Sequence, residues 1–258
     1  VTKKFGIPFV VDNTLATPVV CRPFDFGADI VVYSSTKYLD GHATSLGGII
    51  VDSGKFNYLG NPRFPDFNEP DESYHGLIYA KDFGNMGFLV KARGQMMRDL
   101  GAQAAPFNAF LTVLGMDTLH LRMPRHSENA LALAKMLQQN EAVEWVKYGG
   151  LESDVNYPLT QKYFTNGMAS GMVTFGIKGG REAAAKFQKA LKLFRIVTHI
   201  ADARSCVLHP ASTTHRQLSD SDLVACGISP DLIRLSVGIE SAKDIVEDVK
   251  NALAVSQK

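Results

Sequence analysis

Two short apolar runs near the start of the chain, each ending in polar side chains, constrain the fold more than any other feature. Residues 9–12 have the sequence FVVD and residues 30–35 the sequence IVVYSS. Runs of this length that are rich in β-branched residues are typical of strands buried on both faces. The residues between them suffice for the crossover that joins parallel strands. The sequence therefore predicts an α/β fold with a mostly parallel sheet, to which residues 46–51 add a third strand.

The pattern of the chain changes beyond about residue 124. Residues 78–121 have a helical pattern that Gly101 and Pro106 interrupt, and another helix begins near Leu121. Beyond it we predict strands at 143–146, 172–177 and 232–239. We predict a helix at 181–193, with Ala184, Phe187 and Leu191 facing inward. A last helix is predicted at 242–254, where Ser241 and Asp244 form a capping box. We therefore expect a second, smaller α/β domain over residues 125–258.

Composition excludes several classes of function. The 27 basic and 26 acidic residues leave a net charge of +1 with no charged block, which argues against a nucleic-acid partner. No apolar run approaches the length of a membrane span. The widely spaced Cys21, Cys206 and Cys226 favour reduced thiols in a reducing compartment, here the cytoplasm. The histidine pairs lack helical ligand spacing and there is no CxxC motif, so we expect no metal.

Lys37 directly follows the second apolar run. In open α/β sheets ligands bind at the carboxyl ends of strands, where a lysine is partly desolvated and its amine is more easily neutral and nucleophilic. Ser34 and Thr36 can donate hydrogen bonds to a phosphate, and Gly41 and Gly47–Gly48 would let the backbone pass close to a ligand. Taken alone, a lysine at this place more often simply leaves the sheet for solvent.

Asp12 and Arg234 are two further candidates. Asp12 also ends a buried strand, and a carboxylate facing the same crevice as a reactive lysine suits pyridoxal phosphate, whose ring nitrogen it would keep protonated. The alternative is an aspartate that begins a turn or caps a helix. Arg234 lies within a strand-like run, where a guanidinium would bind a carboxylate through two parallel hydrogen bonds. The alternative is an edge-strand arginine that faces water.

Taken together, these segments resemble the Cys/Met-metabolism family of pyridoxal-phosphate enzymes. The resemblance rests on SSTKYLDGH around Lys37, VDNT at 11–14 and RLSVGIE at 234–240, and it covers essentially the whole chain. Four other segments resemble the O-acetylhomoserine sulfhydrylase branch: GGIIVDSGKF at 47–56, the long loop before Tyr74-His75-Gly76, RGQMMRDLGAQAAPFNAFL at 93–111 and HPASTTH at 209–215. The family implies a type I transferase fold, in which residues 1–124 are the C-terminal half of the large cofactor-binding domain.

The resemblance also implies roles for individual residues. Lys37 matches the lysine that binds pyridoxal 5'-phosphate covalently and later moves protons, and Asp12 matches the partner of the pyridinium nitrogen. Ser34 and Thr36 match hydroxyls near the cofactor phosphate. Arg234 matches the side chain that holds the α-carboxylate of the substrate.

The implied reaction is γ-replacement on O-acetyl-L-homoserine. Sulfide or a thiol replaces acetate and gives homocysteine or methionine. Family members assemble as homotetramers with shared active sites. The alternatives are a cystathionine γ-synthase or lyase, or a methionine γ-lyase, on the same scaffold, and a non-catalytic assembly subunit that keeps only the fold.

The sequence departs from the family in three places and in length. Ala43 stands where a glycine or small polar residue is usual, and His199 and Ala201 replace the asparagine and glycine of this branch near the substrate carboxylate. His199 is therefore a candidate for substrate choice, although a histidine there can also simply fill space. Family chains are longer at the N-terminus, so we expect these 258 residues alone to lack part of a competent site.

Overall fold

The computed structural model describes all 258 residues, and the predicted apolar runs form its first sheet. Strands β1 (Val10–Asp12), β2 (Ile30–Ser34) and β3 (Gly48–Asp52) lie in the order β1-β2-β3. β1 and β2 are parallel, and the crossover between them contains the short helix α1 (Thr17–Val20). β3 is antiparallel to β2, so parallel pairing in this sheet is limited to its first two strands.

A series of helices follows the first sheet, broken where the sequence predicted. They are α2 (Pro65–Asn68), α3 (Tyr79–Asp82), α4 (Gly87–Lys91), α5 (Arg98–Leu100) and α6 (Pro106–Asp117). A π-helical segment at Ala92–Met97 joins α4 to α5. Gly101 ends α5 with a left-handed φ of 68°, and Pro106 occupies the first turn of α6, where its missing N–H costs nothing. Both predicted interruptions are thus confirmed.

Helix α7 (Leu119–Gln138) connects the two halves of the molecule. It begins close to the predicted residue and continues without interruption through Pro124, so the predicted boundary between residues 124 and 125 lies inside it. The division of the chain into two domains at that point remains a prediction. α7 is the longest helix, and neither it nor any other helix has the length and apolar character required to cross a membrane.

The second sheet has five strands and carries the main core. It consists of β4 (Val143–Lys147), β5 (Met172–Ile177), β6 (Arg195–Ile196), β7 (Cys206–Leu208) and β8 (Leu232–Ser236), in the order β4-β5-β8-β7-β6. All neighbours are antiparallel except β6 and β7. The remaining helices are α8 (Tyr157–Tyr163), α9 (Gly180–Ala190), α10 (Asp220–Ala225) and α11 (Ala242–Ser256). Side chains of α7, α9 and α11 pack against the sheet, and Ala184 and Phe187 face inward as predicted.

Two elements are shorter than the sequence pattern predicts. β8 ends early because the N–H of Gly238 donates to Ser205 Oγ at 2.9 Å instead of to a neighbouring strand. α9 ends early because the N–H groups of Lys192 and Leu193 donate to the Asp248 carboxylate, each at 2.9 Å. Tertiary partners therefore set these ends.

The predicted capping box at the start of α11 is wrong. Ser241 does precede the helix, but its side chain forms no capping hydrogen bond, and Asp244 lies in the first turn. Ser241 is exposed, so water can serve both its hydroxyl and the first N–H groups of the helix.

Candidate active site

Asp12 and Ser34 lie at the same edge of the first sheet, because β1 and β2 are parallel and in register. Asp12 Oδ1 accepts hydrogen bonds from the N–H and the hydroxyl of Thr14, at 3.0 and 2.6 Å. Thr14 Oγ1 accepts a 2.7 Å hydrogen bond from the N–H of Ser34. Thr14, whose role the sequence analysis missed, thus ties the two strand ends together. Both bonds to Asp12 use Oδ1, so Oδ2 is left for another partner.

Lys37 lies in the turn that follows β2. The N–H of Gly41 donates to the Lys37 carbonyl at 2.7 Å, and Thr36 Oγ1 accepts from the N–H of Gly47 at 3.1 Å. The Lys37 side chain is half-buried. Its burial, and secondly the positive charge of Arg234, lower the pKa of its amine. More of this amine is therefore neutral near neutral pH than in an exposed lysine, as a nucleophile requires.

Two side chains from the second half of the molecule approach Lys37. The Nζ of Lys37 lies 3.5 Å from His199 Nδ1. Arg234, on β8, donates from Nη2 to the Thr198 carbonyl at 2.9 Å, next to His199. None of the five ion pairs in the molecule includes Lys37 or Arg234. The structure therefore groups an amine, an imidazole and a guanidinium without pairing any of them to a carboxylate, which favours the binding of an anion.

Two buried aspartates near this group are already occupied by other partners. Asp40 accepts a 2.8 Å hydrogen bond from the N–H of Thr44. Asp202 pairs with the Arg204 guanidinium at 2.9 Å. Burial alone would raise the pKa of Asp202, but the hydrogen bonds and charge of Arg204 hold that pKa below its usual value. Both acids act on His199 by charge alone.

A buried polar face on α7 was not predicted from the sequence. Arg122 Nη2 donates at 2.9 Å to the carbonyl of Tyr38, the residue after Lys37. His126 Nδ1 donates to the Val237 carbonyl at 2.7 Å, and Asn129 Nδ2 donates at 2.9 Å to the carbonyl of the next residue. α7 thereby joins the Lys37 turn to the chain that follows β8. The signal was present in the sequence, since these polar residues recur at helical spacing of four and three.

Two glycines near Lys37, Gly41 and Gly47, lie against side chains of the protein itself. A Cβ atom on Gly41 would lie 2.3 Å from a nitrogen of Arg122, and one on Gly47 would lie 2.6 Å from Ser35 Oγ. These glycines make room for side chains of the protein itself. The close approach of backbone to a ligand at Gly41 and Gly47–Gly48 stays a prediction.

His209 and Cys206, which lie outside this group, have structural surroundings. His209 is buried, with Nδ1 2.8 Å from Ser212 Oγ and Nε2 2.8 Å from the Pro230 carbonyl, which agrees with a role in shaping its loop. All three cysteines are unpaired. Burial raises the pKa of Cys206 to about 11, so its thiol stays protonated at neutral pH.

Comparison with known proteins adds to this geometry. The family described as "Cys/Met metabolism PLP-dependent enzyme" matches residues 1–254. The chain is 48% identical to the O-acetyl-L-homoserine sulfhydrylase of Leptospira meyeri, over 98% of this chain and 59% of that protein. It is 47% identical to the homocysteine synthase of Schizosaccharomyces pombe, over 97% of this chain and 59% of that protein. The chain thus spans about 59% of the length of these relatives.

Solved structures show the same relationship. A crystal structure of a putative O-acetylhomoserine (thiol)-lyase from Campylobacter jejuni, which contains N'-pyridoxyl-lysine-5'-monophosphate, superposes with a TM-score of 0.92 at 38% identity, covering 98% of this chain and 60% of that one. Cystathionine γ-lyase from yeast gives a TM-score of 0.78 at 33% identity, covering 98% of this chain and 56% of that one. The type I fold predicted from the sequence is confirmed.

Proposed function

The chain belongs to the Cys/Met metabolism family of pyridoxal phosphate-dependent enzymes, and we propose that its protein catalyses γ-replacement on O-acetyl-L-homoserine. In this reaction the bond between the γ-carbon and acetate breaks and a carbon–sulfur bond forms at the same carbon. Sulfide gives homocysteine, and a methyl thiol gives methionine. The names of the relatives support this substrate class. The observation that carries the proposal is Lys37, a half-buried amine of lowered pKa with no acidic partner.

The residues present fit pyridoxal phosphate. An amine that burial keeps partly neutral suits an aldehyde, and the unused Oδ2 of Asp12 lies at the same sheet edge for the ring nitrogen. Ser34 ends β2, and Thr36 lies in the turn that also carries Lys37. Their hydroxyls are therefore close enough in the chain to Lys37 to donate hydrogen bonds to the phosphate of a cofactor bound there. When bound, the cofactor supplies an electron sink that stabilises carbanions next to the substrate nitrogen.

Lys37 is the proposed acid and base of the reaction. Its lowered pKa lets the amine take the α-proton of a bound amino acid and return a proton near neutral pH. Asp12 is fixed by Thr14 and so keeps a constant position while Lys37 changes its protonation.

Arg234 is the proposed partner of the substrate α-carboxylate. Only its Nη2 donates within the chain, to Thr198, so its other nitrogens stay available. Partial burial lowers its pKa but leaves a guanidinium charged at any physiological pH. A carboxylate bound there would lie in the part of the molecule that also holds Lys37, because the charge of Arg234 reaches that amine.

We further propose that the protein acts on small molecules as a homotetramer with shared active sites. Support comes from an exposed apolar surface on and before α6, where Leu100 is 74% and Phe107 68% exposed. Surfaces of this kind mark contacts between proteins. We also propose a cytoplasmic location, because the three cysteines are unpaired, as is usual in a reducing compartment, and two of them are buried. We propose no nucleic-acid, membrane or metal partner.

The test is a product assay on the protein expressed from its full coding region and loaded with pyridoxal phosphate. We expect homocysteine and acetate from O-acetyl-L-homoserine and sulfide, and a loss of at least about 10²-fold in Lys37→Ala. Lys189→Ala, at an exposed lysine on α9, is the matched control and should keep full activity.

Two results would favour the alternatives. Ammonia and an oxo acid from methionine, with no γ-replacement, would show a lyase on the same scaffold. A protein that stays colourless after incubation with the cofactor would show a non-catalytic assembly subunit.

A further inference from the structure

The imidazole of His199 contacts the amine of Lys37, which lies far from it in the sequence. The two residues are 162 positions apart, and their nitrogens lie 3.5 Å from each other, at the long end of the hydrogen-bond range. The other ring nitrogen, Nε2, is buried and has no partner in the chain. The contact with Lys37 is therefore the only hydrogen bond of this imidazole within the protein.

The loop that carries His199 is held on both sides. Arg234 binds the carbonyl of Thr198 at 2.9 Å, and the N–H of Ala201 donates to Ser236 Oγ at 2.7 Å. Ala201 is fully buried and has a φ of 65°, a conformation that is disfavoured for a residue other than glycine. Such a conformation persists only where its surroundings enforce it, so the position of the imidazole beside Lys37 is a property of the fold.

The surroundings decide which nitrogen accepts. Burial, and then the positive charges of Lys37 and Arg204, lower the pKa of His199, whereas Asp202 and Asp40 oppose the shift. The imidazole is therefore neutral at neutral pH. Because a protonated lysine can only donate, Nδ1 must be the acceptor and the ring proton lies on Nε2.

We propose that His199 is a positioning residue for Lys37, whose amine it holds by accepting a hydrogen bond at Nδ1. The contact stabilises the protonated amine and so counteracts the burial and the charge of Arg234. The proposal rests on the proposed function only in taking Lys37 as the reactive amine.

Two substitutions separate this role from simple filling of space. His199→Asn places an Oδ1 acceptor at the same number of bonds from Cα as Nδ1, whereas His199→Leu keeps a side chain of moderate size and removes the acceptor. If His199 only filled space, the two variants would differ in stability and not in the reactivity of Lys37.

The experiment measures how fast Lys37 reacts with an amine-specific acylating reagent in the cofactor-free, full-length protein, by peptide mass spectrometry across a pH series. We expect Lys37 in His199→Leu to react roughly three- to ten-fold faster at a fixed pH below its pKa, since losing one hydrogen bond lowers the pKa of the amine. His199→Asn should follow the wild-type profile. The exposed Lys189, on α9, serves as the internal standard in each sample.

The proposal is overturned when His199→Leu keeps the wild-type profile, or when His199→Asn changes it as much as leucine does. If the leucine variant does not fold, nitrogen chemical shifts of His199 in the wild type decide. A proton on Nε2 supports the proposal, and a proton on Nδ1 contradicts it. Failure of the proposed function appears separately, as a wild-type protein whose Lys37 never binds pyridoxal phosphate.

Discussion

The two sheets of the molecule differ in how they are stabilised. The five-stranded sheet has a core cluster of 22 buried residues, whereas the cluster beside the three-stranded sheet has six. Strands of the smaller sheet leave apolar side chains in solvent, including Val10 at 50% and Ile50 at 52% exposure. The candidate catalytic lysine nevertheless lies in the turn that follows β2 of the smaller sheet.

Contacts between the two halves explain how the weaker sheet holds a defined site. Arg122, on the connecting helix α7, donates to the carbonyl of Tyr38, and from the larger half the N–H of Ala203 donates to the Gly41 carbonyl at 2.8 Å. His199 reaches Lys37 itself. The lysine turn is thus positioned by the connecting helix α7 and by the larger half of the molecule, and the substitutions below test how differently the two sheets are stabilised.

The largest expected effect is a cavity in the larger core. Phe187→Ala should lower the free energy of unfolding by about 3–5 kcal/mol, because the ring is fully buried against the sheet. Val10→Ala, in the smaller sheet, should change it by less than about 0.5 kcal/mol. Urea unfolding of both variants measures the difference. Equal losses would show that the two sheets depend on burial to the same degree.

Acid should weaken the contact between α7 and the chain that follows β8 through His126. Burial lowers the pKa of this histidine from 6.5 to about 4 in the folded protein. Between these values the unfolded chain binds the extra proton, so stability is complete above about pH 6.5 and falls by roughly 3 kcal/mol as the pH drops to about 4. Denaturant unfolding across this range should show the slope. The slope should become clearly shallower in His126→Gln and stay as it is in the exposed His120→Gln; an unchanged slope in His126→Gln rules out this origin.

Removing Arg122 should destabilise the contact between α7 and the lysine turn by about 2 kcal/mol, because the Tyr38 carbonyl would lose its donor and the Gly115 carbonyl would keep only the longer, 3.3 Å hydrogen bond from the Thr118 hydroxyl. Arg122→Met keeps most of the side-chain volume. Arg125→Met, at an exposed position on the same helix, is the control and should change the unfolding midpoint little. Equal shifts in both variants would mean that α7 does not hold the lysine turn through this guanidinium.

The smallest expected effects concern two alanines with left-handed backbone. Ala43 and Ala201 have φ values of 55° and 65°, but only Ala201 is buried. Ala43→Gly should stabilise the protein by up to about 1 kcal/mol by relieving strain. In Ala201→Gly the lost burial of the methyl group should offset that gain. Thermal unfolding measures the two changes, and the melting temperature should rise in Ala43→Gly but not in Ala201→Gly. Identical shifts in melting temperature would contradict this prediction.

Local signals account for what the sequence predicted well. The runs ending at Asp12 and Ser34, the breaks at Gly101 and Pro106 and the inward face of α9 all depend on neighbouring residues alone. The end of α9 does not depend on neighbouring residues alone, because it is set by Asp248, which is distant in sequence. It was therefore not predicted correctly. The pairing of Lys37 with His199 is equally non-local, so the sequence offered His199 as a candidate without indicating its partner.

The most direct test of the account is to identify the lysine that binds the cofactor. The full-length protein would be loaded with pyridoxal phosphate, reduced with borohydride, digested and analysed by mass spectrometry. We expect the pyridoxyl group on Lys37, and none on the exposed Lys189. A stable adduct on another lysine, or no adduct at all, would contradict the claim that the Lys37 turn is the centre of the active site.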